Sequence, residues 1–282
     1  MLKRIVLSSC VAAVAGFASP ALAADIDQII YAPDLPVTQP VEIGNGWYLR
    51  GDLGYSFKTQ GAARSYSVFS AGPPAAYSTN TFATSEIESD FSGSLGFGYQ
   101  FTDYLRADLT FDYAKGSFDG TTTAAGPCPG RPFGTTCASS DIADFKSYGI
   151  LANGYFDLGT FAGFTPYVGA GAGVTLVRWD PLSNTSRCVA GAVACPGVAT
   201  LAPVSHAGED SWRFTYALMA GFSYNVTQAL KFDLGYRYSK TASGDMFRYD
   251  APTAAAGAIG VQAQDRGIEK HEIRAGLRYA LW

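Results

Sequence analysis

The residues of this chain that could do chemistry fall into three groups: paired cysteines, a neighbouring serine, histidine and aspartate, and a long series of alternating charges. Cys128 and Cys137 are separated by eight residues, and Cys188 and Cys195 by six. Thiols so placed could close two local disulfides or share a zinc ion. Zinc sites commonly pair their thiols across about two to four residues, so Cys128–Cys137 and Cys188–Cys195 disulfides are the expectation, and no metal is. Ser205, His206 and Asp210 offer a nucleophile, a base and an orienting carboxylate, and His206 alone could ligate haem iron. They lie in a stretch rich in Pro and Gly with no supporting pattern, which reads more simply as a solvated loop. His206 is carried as a candidate ligand; no cofactor and no enzymatic activity are expected.

The charged series comprises Arg50, Asp52, Arg106, Asp108, Asp112, Arg213, Lys231, Asp233, Arg237, Glu272, Arg274 and Arg278. Each occupies one parity of a segment whose other parity is largely apolar. In one arm Trp212, Phe214, Tyr216, Leu218, Phe222 and Tyr224 alternate with Arg213, Thr215, Ala217, Met219, Ser223 and Asn225. After a break near 226–228, Leu230, Phe232, Leu234, Tyr236 and Tyr238 alternate with Lys231, Asp233, Gly235, Arg237 and Ser239. A period of two on both sides of a short break describes a β-hairpin. The alternation recurs from Trp47 to Phe57, from Ile87 to Tyr99, from Leu105 to Tyr113 and from Glu272 to Leu281. In the second of these, Ile87, Ser89, Phe91 and Leu95 fall on the apolar side. Around 145–158, Asn153 assigns Leu151 to the charged side, while in the Gly/Ala-rich stretch 166–179 only Arg178 distinguishes the faces, as inward.

Apolar faces need a cover, and the chain offers no helices to supply one. Lipid is the natural alternative, because a tilted strand of about 9–11 residues spans a bilayer and favours aromatic residues at its ends. Eight such segments, separated by connections that alternate long and short, describe an all-β, eight-stranded antiparallel up-and-down transmembrane barrel. Its short turns would be periplasmic, and its four long loops, at 59–85, 116–140, 180–210 and 240–267, extracellular. Closure pairs every backbone group that an open edge would expose to lipid. A charge on the lipid face at the midplane costs about 2–4 kcal/mol, so the charged series belongs in the lumen. There acids and bases should pair and fill a narrow interior, making a structural polar core; the rival reading is a small charged channel. On the same cost, Leu109→Arg or Leu234→Arg should harm assembly more than Asp112→Asn.

The termini place this barrel in a compartment. Lys3 and Arg4, an apolar run from Ile5 to Phe17, Pro20 and the small-residue site Ala21-Leu22-Ala23 read as a signal peptide over 1–23. Cys10 loosely imitates a lipoprotein box but lies too early in the apolar run. Residues 24–45 are acidic and proline-containing, an extended periplasmic segment, and 46–282 form the barrel. Of the 282 residues, 20 are basic and 24 acidic; losing Lys3 and Arg4 takes the net charge from −4 to −6, which argues against nucleic acid as a partner.

At GWYLRGDLGYSF, SYGILANGYFDLGTFAGFTPYVGAGAGV and EIRAGLRYALW the chain resembles the alphaproteobacterial outer-membrane family that includes RopB and the surface antigens of Brucella, and OmpA-type barrels more generally. That resemblance implies a structural, surface-exposed role in the outer membrane. Porin activity, haemin binding and lipid modification by a barrel enzyme remain as alternatives. It also implies outer-membrane lipid and lipopolysaccharide, the barrel-assembly machinery through the C-terminal strand, and extracellular ligands at the loops as partners. Leu281 holds the outward register at the C-terminus, where members of such families often place an aromatic, and Trp282 falls one residue beyond it.

Overall fold

A computed structural model describes residues 46–281, apart from Asp90, Ala125 and Pro129. The expected signal peptide with Cys10, the segment 24–45 and Trp282 lie outside the described residues. Eight long strands follow in order: β1 (Gly46–Gln60), β2 (Phe91–Gln100), β3 (Leu105–Ala124), β4 (Thr136–Asp157), β5 (Phe164–Trp179), β6 (Asp210–Asn225), β7 (Leu230–Thr241) and β8 (Ile268–Ala280). Each pairs antiparallel with its neighbours in sequence, and β8 returns to β1 along a register from Tyr48↔Ala280 to Gln60↔Glu269. The sheet therefore closes into a barrel, and up to Tyr55↔Phe91 β1 is paired on both sides, without a lateral edge.

Local chemistry explains the short turns. Thr102 Oγ1 accepts hydrogen bonds from the Tyr104 and Leu105 amides, and Thr227 Oγ1 accepts one from the Leu230 amide, so each hydroxyl closes a hairpin end. The third turn runs through Gly159, Ala162 and Gly163, all at positive φ. Both chain ends of the barrel and these turns occupy one rim, and the long connections occupy the other.

The period of two sorts the strands into faces, and Leu53, Leu95, Leu109, Leu218 and Leu277 all point outward and are exposed. Aromatic rings bound this apolar band. On the short-turn side Trp47 stacks on Phe97 at 4.6 Å and Phe164 meets Tyr224 at 4.8 Å. On the long-loop side Tyr55 meets Phe91 at 5.3 Å, Tyr113 meets Tyr148 at 5.2 Å, and Tyr236 hydrogen-bonds His271 at 2.6 Å. Two aromatic bands flanking an apolar belt are the exterior that a lipid bilayer selects.

Four features differ from the sequence expectations. First, the long connections are built rather than irregular. β3 and β4 continue past the belt as a paired ribbon from Lys115↔Lys146 to Ala124↔Cys137, and Leu182–Val189 pairs with its outer edge. Ser65–Ser70, Ala76–Thr81, Gly244–Arg248 and Val261–Asp265 form a separate four-stranded sheet, and helix is confined to Ala251–Ala255 among the described residues. Tertiary pairing supplies the order that low hydrophobicity hides.

Second, Ile87 and Ser89 are buried rather than outward. Thr84–Glu88 pairs with β3 in one register (Glu88↔Ser117) and β2 in another (Ser92↔Ala114), so an extra residue between them reverses the parity. Third, Arg178 is outward. Thr175, Val177 and Trp179 of β5 face the lumen, and Arg178 pairs with Asp210 at 2.9 Å, both about half exposed. It stands at the long-loop end of its strand, where the cost of an outward charge falls to about 0–1 kcal/mol. Fourth, the glycines of β5 point inward for a reason: a Cβ at Gly169 would meet the Tyr155 ring and one at Gly171 the Asn153 amide. The stripe makes room for two large polar side chains from β4.

Candidate functional site

Inside the barrel, the half nearer the short turns holds a network of charges. Arg50 clasps Asp52 through Nε and Nη2 at 2.9 and 2.8 Å and reaches Asp108 and the Tyr155 hydroxyl through Nη1 at 2.9 and 2.8 Å. Asp108 also accepts from the Tyr48 hydroxyl at 3.1 Å and the Asn153 amide at 2.8 Å. Arg106 donates Nε to both oxygens of Asp157 at 3.1 Å while its guanidinium lies 4.1 Å from the Tyr155 ring centre and 4.8 Å from that of Tyr167. Asp112 receives two guanidinium groups, Arg237 at 2.9 Å and Arg274 at 3.1 Å. Arg274 also approaches Glu272 at 3.3 Å, and Glu272 accepts from Ser56 and Ser92. Arg278 pairs with Asp233 at 3.2 Å.

The charges named in the sequence thus meet, with new partners. Asp233 bonds Arg278 rather than its strand neighbour Arg237, which crosses the lumen to Asp112. Lys231 faces inward without a hydrogen bond or ion pair among the described residues. Sequence reasoning passed over Asp157, Tyr155, Asp265 and Lys270. The parity of Asn153 extends to Tyr155 and Asp157, and that of Glu272 to Lys270, so both signals were present in the register. In this half seven cations (Arg50, Arg106, Lys231, Arg237, Lys270, Arg274 and Arg278) face six carboxylates (Asp52, Asp108, Asp112, Asp157, Asp233 and Glu272) among the described residues.

Above the network the lumen turns apolar. Phe118, Phe145, Val177, Trp179 and Ile268 from the eight strands meet Ile87, Met246 and Phe247 in one buried cluster. Phe145 and Trp179 lie 4.8 Å apart and Trp179 and Phe247 5.3 Å apart, centre to centre. The loop strand Gly244–Arg248 is thereby drawn across the mouth as a lid. Arg213 belongs to this level rather than to the charged network: it is buried against Asp265 and donates to the Asp245 carbonyl at 2.8 Å. Along the lumen, cavities of about 20 and 40 Å³ remain, room for about one water in the smaller and a few in the larger.

The loop face carries the cysteines. Cys128 is joined to Cys137 and Cys188 to Cys195, and Cys137 and Cys188 lie opposite one another in the ribbon. Arg131 ties the two disulfide loops together, donating to the Pro196 and Val198 carbonyls at 2.7 and 2.6 Å. Ser205, His206 and Asp210 do not assemble: Ser205 is exposed, Asp210 is engaged by Arg178, and no hydrogen bond links the three. His206 is buried near Asp141, whose carboxyl is pushed above the usual range by burial. A polar cleft of about 840 Å³ opens between the upper part of β1 and Thr84–Glu88, lined by Lys58, Arg64, Glu86, Glu88 and Arg266. Above Tyr55, β1 pairs with β8 alone.

A closed barrel with an apolar exterior, aromatic bands and a charged interior agrees with the comparison to known families, in which the outer membrane protein β-barrel domain matches residues 9–280. The chain belongs to this outer-membrane β-barrel family. An uncharacterized protein of Brucella suis biovar 1 is 37% identical over 280 residues, covering 93% of each chain. A protein of Rickettsia felis named as a candidate adhesin is 26% identical over 243 residues, covering 85% of this chain and 89% of its own. Among solved structures, Neisserial surface protein A shares 17% identity with a TM-score of 0.42, covering 84% of this chain and 97% of that one. As a member of this family the protein is an outer-membrane barrel. Its charged lumen is an interior of the kind small barrels fill with their own side chains.

Proposed function

We propose that this outer-membrane barrel is a sealed, non-enzymatic wall that presents its loop sheets to the surroundings, with a structural and surface-contact role. The apolar lid carries this reading: Trp179, Phe247 and their neighbours close the lumen directly beneath the loops. Below it, Asp112 draws two arginines into the lumen, where a solute would have to pass. The loop face is correspondingly elaborate, with paired strands, two disulfides and a polar cleft. Export through the signal at 1–23, insertion guided by the C-terminal strand, and contact of the aromatic bands with lipid and lipopolysaccharide complete the proposal. The contact partners at the loops are extracellular, and antigenicity follows from exposure.

Conductance of the purified protein in planar bilayers tests it. A sealed barrel gives no steps, or rare small ones. Large, stable steps from protein free of other porins would favour the small-porin reading, and Arg237→Ala and Arg274→Ala should then change ion selectivity. A haemin titration with a His206→Ala control addresses the receptor alternative, which predicts binding that is lost in the variant.

A further inference from the structure

The larger lumen cavity, about 40 Å³, lies between the charged network and the apolar lid. Its lining includes three cations, Arg237, Lys270 and Arg274, and two carboxylates, Asp112 and Glu272. Both carboxylates are already engaged by the arginines, and Glu272 further accepts from two serines. Lys270, on the same face as Glu272, makes no hydrogen bond or ion pair among the described residues, and the buried Nε of Arg237 has no hydrogen-bond partner. Two donors carrying positive charge therefore line one chamber, and the layer holds one more cation than carboxylate.

We propose that this chamber is a binding site for one small monovalent inorganic anion of chloride size, held by Lys270 and Arg237. Lys270 is half-buried, and a charge held there without a counter-charge carries a desolvation cost that an anion would offset. The surplus is a single unit, so a monovalent ion balances it and a divalent one would invert it. Size agrees: the chamber admits a few waters' worth of volume, enough for a halide and too little for a carboxylate-bearing metabolite. The walls supply further hydroxyl groups, since Ser239 stands opposite Lys270 in the β7–β8 register and the Thr215 hydroxyl hydrogen-bonds those of Thr175 and Thr241 beside it. Val177 and Ile268 of the apolar cluster line the chamber, and such walls strengthen attraction between ion and site. The anion is a fixed counter-ion of the lumen, independent of whether the barrel conducts.

The test uses the full-length folded protein. In crystals grown with bromide, an anomalous peak is expected in the chamber beside Lys270 Nζ and Arg237 Nε. In detergent, the unfolding midpoint should rise by a few degrees, saturably, with chloride relative to gluconate at equal ionic strength. Lys270→Met should abolish that increment, while the exposed control Lys58→Met keeps it. A chamber without bromide overturns the proposal whatever the midpoints do, so the crystal decides the matter even if Lys270→Met fails to fold. An equal chloride response in wild type and Lys270→Met overturns it too, as a generic salt effect.

Discussion

The two halves of the lumen face the same problem with opposite chemistry. Near the short turns, inward positions are charged and are held by directional pairs such as Arg50 with Asp52 and Asp108. Near the loops, inward positions are apolar and are held by packing, with Phe118, Phe145 and Trp179 closed over by Met246 and Phe247. The difference follows from what can cover each half. The lower half is ringed by barrel wall alone, so opposite strands must satisfy one another across the axis. The upper half receives a loop strand as a lid, so apolar side chains gain a partner that excludes water. A charge is therefore costly to remove below, and volume is costly to remove above.

Substitutions inside and outside each half sharpen this contrast. The largest loss is expected from Asp112→Asn, which leaves Arg237 and Arg274 without their shared carboxylate; breaking a buried pair costs about 3–5 kcal/mol. Heat-modifiable migration on gels and the unfolding midpoint should both fall, and an unchanged midpoint would show that water, not protein, balances these arginines. Next comes Leu109→Arg, on the outside of the same half, at about 2–4 kcal/mol near the midplane. This reverses the order anticipated from the sequence, because a single carboxylate serves two guanidinium groups and no linear pattern displays that.

Smaller effects are expected in the upper half. Ile87→Val should cost about 0.5–1.5 kcal/mol, the range for a methylene lost from a packed core. If denaturant titration finds no change, Ile87 faces lipid and the parity reversal before β2 is wrong. Arg178→Ala, on the outside at the rim, should change stability by about 0.2–1 kcal/mol, since its pair with Asp210 is about half exposed. A loss of several kcal/mol there would mean that Arg178 is buried in the lumen after all.

The sequence alone was enough to establish the barrel and most of its faces. A period of two, repeated between alternating short and long connections, is a local property, and lipid on one side makes it unambiguous wherever a charge and an aromatic sit on opposite parities, as in β1, β3, β6, β7 and β8. The cysteine pairs were similarly legible because each partner lies within ten residues of the other. Three things depended on tertiary structure. Charge partners did, since Asp233 and Arg237 share a face yet bond residues from other strands, and only closure decides which side chains meet across the axis. Parity failed where pattern is weak or shifted: Arg178 stands beyond the depth at which lipid penalises charge, and an extra residue before β2 turns Ile87 inward. The lid was invisible because Met246 and Phe247 lie in a stretch too short and polar to read as a strand. They become core only when folding brings them over Trp179, a contact between residues distant in sequence that no periodicity within either segment encodes.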